Sequence, residues 1–127
     1  ANDSVYFTDS VSPSKIPQYF VDAEMLVLAR PDNDQAKYGF PTKLGEYLLS
    51  GRPVVLTNVG NISDFLLDGQ SAYIAQPGNI ISISDKMIEV SSNKDLAEQI
   101  AKKGKEVALK KFNSSIETAK LLSIMFN

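Results

Sequence analysis

The stretch Tyr38-Gly39-Phe40-Pro41-Thr42-Lys43-Leu44-Gly45-Glu46-Tyr47-Leu48-Leu49-Ser50-Gly51-Arg52-Pro53-Val54-Val55-Leu56-Thr57-Asn58-Val59-Gly60 decides the fold. It reads as a loop, a helix opened by Pro41, a stop at Gly51 and a short buried strand from Pro53 to Leu56. Proline suits a first helical turn, where its missing amide hydrogen would have had no partner. Glycine suits the position just past the last turn, where the backbone turns left-handed. With Pro41 carrying no N–H, the free donors at the helix mouth are the amides of Thr42 and Lys43, and the positive end of the helix dipole reinforces them. An anion is favoured there. Leu44, Tyr47, Leu48 and Gly51 share one side of the 3.6-residue period, and Glu46 lies about 200° around from Leu44, one turn above Thr42. The expectation is that Glu46 faces away from the sheet, above the anion site. A carboxylate so close to a phosphate-accepting helix mouth makes chemical sense if it binds hydroxyls, and a ribose diol carrying a diphosphate satisfies both groups at once.

Working outward, Met25 to Ala29 is a continuous apolar run between Glu24 and Arg30-Pro31, suited to a parallel strand buried on both faces. Ala72 to Ala75 repeats the pattern more weakly, and Ser4 to Thr8 is a short β-rich run. Ser12-Pro13-Ser14 starts a helix that carries Ile16, Tyr19 and Phe20 inward and that Pro17 shortens or bends. Asn61 is read as the cap of a helix from Ile62 to Leu67. Pro77-Gly78-Asn79 leads into a helix bearing Ile83, Met87 and Val90. Asn93 caps a longer one with Ala97, Ala101, Gly104, Ala108 and Phe112 on one face, and Asn113 starts a last helix. Strands alternating with helices imply right-handed βαβ units, hence an α/β domain with a parallel sheet. Ligands of such sheets sit beyond the carboxyl ends of the strands, so Arg30 to Phe40 and Thr57 to Asn61 lie on the functional edge.

Composition narrows the chemistry. At 127 residues there is room for one domain. A net charge of −2 with no basic stripe argues against nucleic acid. Neither cysteine nor histidine is present, which removes disulfides, Cys/His zinc sites, cysteine nucleophiles and imidazole bases. Asp32 and Asp34 read as solvated turn formers rather than a metal pair. No apolar run approaches the ~20 residues of a membrane span, and a cytoplasmic setting is expected.

The run Gly39 to Val55, followed by Val59-Gly60-Asn61-Ile62-Ser63-Asp64-Phe65-Leu66-Leu67-Asp68-Gly69 and Pro77-Gly78-Asn79, resembles the donor-binding C-terminal domain of family 4 glycosyltransferases (glycosyl transferases group 1). These are GT-B enzymes that use nucleotide sugars, and the likeness is to bacterial members that build capsular and other surface polysaccharides. The resemblance implies a Rossmann-like parallel sheet of about four strands with flanking helices, with Ser4 to Thr8 as the domain's third strand. It also implies a hexosyl transfer with retention of configuration, from a nucleotide diphosphate sugar to a glycan or lipid-linked acceptor, with no cofactor beyond the donor and no obligatory metal. Glu46 would hold the ribose. The amides of Thr42 and Lys43 would hold the diphosphate, Gly39, Phe40 and Pro41 would shape the sugar pocket, and Gly60 would border the donor. No residue here is a credible general base, so no catalytic residue is assigned. Many family members carry an acid eight residues before the ribose acid, and Tyr38 stands at that place here.

The same resemblance implies two preceding strand–helix units that supply an Arg and a Lys for the diphosphate. The chain therefore corresponds to the later two thirds of such a domain. It is expected to be part of a longer enzyme, inert alone, with the acceptor side and any peripheral membrane contact elsewhere. In the usual doubly wound order a missing first strand leaves a gap or an open edge, which a fragment could close by dimerising. Two other readings remain: a stand-alone nucleotide-binding subunit that completes a two-chain GT-B enzyme, and a receiver-like module. The receiver's acidic pair and phosphoacceptor are not supplied by the strand ends Thr8-Asp9, Ala29-Arg30 and Leu56-Thr57. The plain alternative for Glu46 and Lys43, three residues apart, is an exposed ion pair worth a few tenths of a kcal/mol.

Overall fold

The computed structural model describes residues 12–31 and 42–112. The expected strand at Ser4 to Thr8, the loop residues from Asp32 to Pro41 and the helix after Asn113 lie outside them. The described chain is α/β. A 3-10 turn, Pro13–Lys15, leads into α1 (Ile16–Asp22), followed by β1 (Leu26–Leu28), α2 (Thr42–Leu49) and β2 (Val54–Thr57). A second 3-10 turn, Ile62–Asp64, then precedes β3 (Tyr73–Ala75), α3 (Ile80–Ser92) and α4 (Lys94–Phe112). The three strands form one parallel sheet in the order β1-β2-β3. Val27 pairs with Val55 and Leu56 with Ile74. Among the described residues no strand covers the outer edge of β1.

The strands are short and apolar because both faces are covered. On one face Leu26, Val54 and Leu56 pack with Phe20 of α1, Leu44, Leu48 and Leu49 of α2, and Ala108 of α4. On the other, Val55 and Tyr73 meet Val90 of α3 and Ala97 and Ile100 of α4, with Met25 and Val27 alongside. Helix α4 thus serves both layers. It comes close to the rest of the domain at Gly104, which is buried. A Cβ there would collide with the Ser71 carbonyl oxygen and press on Leu48 Cδ2 at 3.0 Å.

Local signals place the ends of α2 and β2. Gly51, at φ 78°, takes the left-handed turn that stops α2. Its N–H bonds the Leu48 carbonyl at 3.2 Å, and the Ser50 hydroxyl bonds the Tyr47 carbonyl at 2.5 Å. Arg52 donates through Nη2 to the Val21 carbonyl at 2.5 Å, and Tyr47 meets Phe20 edge to face at 5.3 Å, so α1 is fastened to the α2–β2 corner. Asn79 and Asn93 cap as expected, their side chains accepting from Ser82 N–H at 3.0 Å and Leu96 N–H at 3.1 Å.

Two expectations are corrected. Tyr19 is 52% exposed, because only Phe20 of that turn reaches the core. Pro17 sits in the first turn of α1, which is where proline is tolerated. Asn61 caps no helix: its side chain makes no capping bond, and Ile62–Asp64 is a single 3-10 turn. The chain cannot continue helically, since Leu67 N–H is taken by the Ser71 hydroxyl at 3.0 Å and Gly69 N–H bonds the Ala72 carbonyl. Asp68 beyond it ties down β3 and α3, accepting from Ile74 N–H at 2.9 Å and from Lys86 Nζ at 2.7 Å.

The Tyr73 hydroxyl is buried without a hydrogen-bond partner, and burial, with Glu89 and Asp68 nearby, raises its pKa. Tyr73→Phe removes a desolvated hydroxyl and is expected to raise stability by about 1 kcal/mol in denaturant titration. Gly104→Ala drives a methyl into a backbone carbonyl and is expected to cost about 1–3 kcal/mol in the same measurement.

Candidate functional site

The site lies at the carboxyl ends of β1 and β2. Here the ladder between the two strands is closed by a side chain instead of by backbone. Thr57 Oγ1 accepts from Arg30 N–H at 2.8 Å and donates to the Arg30 carbonyl at 2.9 Å. Thr57 is 2% exposed, so both bonds are shielded from water. The chain leaves β1 at Arg30 and returns as α2. Parallel connection through a helix antiparallel to the strands brings the mouth of α2 back to the same carboxyl edge.

At that mouth Thr42 and Lys43 are the first two residues of α2 and no acid stands in its first turn. Among the described residues no hydrogen bond occupies their amides. The Lys43 side chain is exposed. Glu46, one turn on, is half-buried and belongs to neither apolar cluster, whereas Leu44, Leu48 and Leu49 of the same helix are fully buried. Burial raises the pKa of the Glu46 carboxyl, and the nearby Lys43 ammonium lowers it by less. Among the described residues no ion pair joins the two, so the surface salt bridge weighed from the sequence is not what holds Glu46. Gly60, at φ 70°, makes the exposed turn after β2. Gly39, Phe40, Pro41 and Tyr38 lie outside the described residues.

Thr57 and Arg30 were not singled out by sequence reasoning beyond their place on the functional edge. The available signal was a threonine closing one apolar strand and an arginine closing another. A hollow of about 150 Å³ lined by Glu24, Arg52, Lys94 and Glu98 sits at the opposite, amino end of the strands, where parallel sheets do not bind ligands.

Comparison with known proteins gives these features a setting. The family model described as "Glycosyl transferases group 1" matches residues 1–107. An uncharacterised glycosyltransferase of Methanocaldococcus jannaschii is 29% identical over 75 residues, 59% of this chain and 21% of its own length. A poly(ribitol-phosphate) alpha-N-acetylglucosaminyltransferase of Staphylococcus aureus is 29% identical over 80 residues, 62% of this chain and 16% of its own. The chain therefore spans about a fifth of the length of these curated relatives. Among solved structures, the C-terminal domain of a glycosyl transferase group 1 family protein (LpcC) from Francisella tularensis superposes with TM-score 0.65 at 24% identity, over 88% of this chain and 52% of that one. Anabaena HepE in complex with UDP gives TM-score 0.65 at 18% identity, over 87% of this chain and 27% of that one. At these identities the superpositions establish the fold.

The pKa of Glu46 sets a pH test of its burial. A carboxyl whose folded pKa lies above its unfolded value costs nothing when both states are protonated. The cost grows as pH rises through the window between the two values and is complete above the folded one. Glu46→Gln is therefore expected to be more stable than the parent at neutral pH, with the difference vanishing toward about pH 4, the ordinary glutamate range. Paired thermal unfolding across that span checks it.

Proposed function

From the premise that the chain belongs to the glycosyl transferases group 1, we propose that it is the donor-side part of a retaining hexosyltransferase. The enzyme would move a sugar from a nucleotide diphosphate donor to a glycan or lipid-linked acceptor in the building of a bacterial surface polysaccharide. The observation that carries the proposal is the pairing, at the carboxyl edge of a parallel sheet, of a helix mouth whose first amides have no hydrogen-bond partner among the described residues with a half-buried acid one turn above it. The neighbour solved with UDP and the relative named for N-acetylglucosaminyl transfer support a nucleotide sugar as ligand.

In this mechanism the amides of Thr42 and Lys43 receive the diphosphate, and their stabilisation grows as negative charge builds on the departing phosphate oxygen. Glu46 accepts hydrogen bonds from the ribose hydroxyls, which fixes the donor's orientation so that the anomeric carbon is presented to the acceptor. Gly39, Phe40 and Pro41 shape the sugar side, and Gly60 borders the donor from the β2 turn. The acceptor and any general base would come from parts of the enzyme that this chain does not match, since the match covers 21% of the Methanocaldococcus relative.

Calorimetry with UDP and GDP on the intact enzyme is expected to give binding of at least one of them. Glu46→Gln, which leaves hydroxyl contact but removes the charge, should weaken it roughly 10- to 100-fold, the worth of a charge-assisted hydrogen bond. Unchanged affinity in that variant would remove Glu46 from the site. This chain by itself is expected to bind weakly and to transfer no sugar.

A further inference from the structure

We infer that Arg30 is a second, side-chain contact for the phosphates of the bound donor, aligned by Thr57; this inference rests on the nucleotide-diphosphate reading of the site. The chain has two arginines, and they are treated differently by the fold. Arg52, at the amino end of β2, spends Nη2 on the Val21 carbonyl. Arg30, at the carboxyl end of β1, has Nη1 sealed from water with no hydrogen-bond partner. The ion pairs among the described residues join Lys86 to Asp68 and Glu89, and Lys94 to Glu24, and none reaches Arg30. A guanidinium N–H held out of water without an acceptor is costly, and turning it onto an anion at the partly exposed sheet edge offsets that cost.

The position of Arg30 is fixed. Both its backbone groups are held by the buried Thr57 hydroxyl, so the residue cannot swing away from the sheet edge. Leu26 and Leu28 of β1 face the layer that holds α2, and continued alternation carries residue 30 to the same layer. The mouth of α2 opens at that carboxyl edge. Two positive features therefore share one end of one layer: a helix N-terminus, which offers partial charge and amides, and a guanidinium, whose planar fork matches two oxygens of a phosphate. A single carboxylate ligand would satisfy only one of them. A diphosphate satisfies both, with Arg30 on one phosphate and Thr42 and Lys43 on the other.

The test compares uridine with UDP and guanosine with GDP on the intact enzyme, using whichever base binds. Arg30→Gln is expected to lower diphosphate affinity at least tenfold and leave nucleoside affinity unchanged, while Glu46→Gln lowers both. Arg30→Lys, which keeps the charge but loses the fork and is the milder change for folding, should give a smaller loss confined to the diphosphate. Thermal unfolding confirms that each variant is folded. If the Arg30 variants weaken nucleoside and diphosphate equally, or neither, while Glu46→Gln still weakens both, the Arg30 assignment falls and the donor site stands. If Glu46→Gln changes nothing, the donor site itself falls and Arg30 with it.

Discussion

The Thr57 hydroxyl is the pivot of this domain. A parallel ladder could have continued past Leu28 and Leu56 with backbone bonds, and the two chains would then have run on side by side. Thr57 Oγ1 instead takes both the N–H and the carbonyl of Arg30, which completes the pairing of β1 while freeing the chain to turn out of the sheet. A valine, equal in shape, would leave two partly buried backbone groups without this partner, a loss of about 1 kcal/mol each. The end of the sheet is therefore chemically defined, and the ligand edge is where that definition is made.

The position of α2 follows from how its apolar side and its C-terminal end are fixed to the layer beneath. Its apolar side, Leu44, Leu48 and Leu49, is sealed in the core. Its far end is stopped by the left-handed Gly51 and tied through Tyr47 to Phe20. Behind it, α4 approaches so closely at Gly104 that no side chain fits against the Ser71 carbonyl. A helix held on three sides leaves one direction for its N-terminus and one exposed arc for Glu46. Rigid placement of this kind is what the proposed donor site asks of its weak groups, amides and one acid.

The sequence showed most of this because its strongest signals are local. Gly51 stops a helix for backbone reasons that hold in any fold, and the runs at Met25 to Ala29 and Val54 to Leu56 are apolar without alternation because both sheet faces are covered. Asn79 and Asn93 capped as read. Asn61 did not, because the competing partner for the following turn, the Ser71 hydroxyl, comes from beyond the turn and leaves no mark at Asn61 itself. The period alone places Tyr19 inward, yet α1 meets the core through Phe20 and, partly buried, Ile16, and Tyr19 stays exposed. The clamp between Thr57 and Arg30 spans 27 residues, and no window of local pattern contains both partners.

On the proposed donor reading, Glu46 gains from being half out of water. Burial is the larger influence on Glu46 and Lys43 the smaller, so the carboxylate is imperfectly hydrated and imperfectly neutralised. A fully hydrated carboxylate gives up as many water bonds as it gains on meeting a diol, and selects little. A fully buried one would protonate or draw in a permanent cation. Between those limits the diol of the proposed donor would replace water that is poorly held, in surroundings where each hydrogen bond is stronger than in bulk solvent. The same reasoning explains why Lys43 stays exposed on the neighbouring arc. A lysine drawn onto Glu46 would fill its acceptor sites, whereas one left in water trims the charge and leaves the oxygens open to the proposed donor.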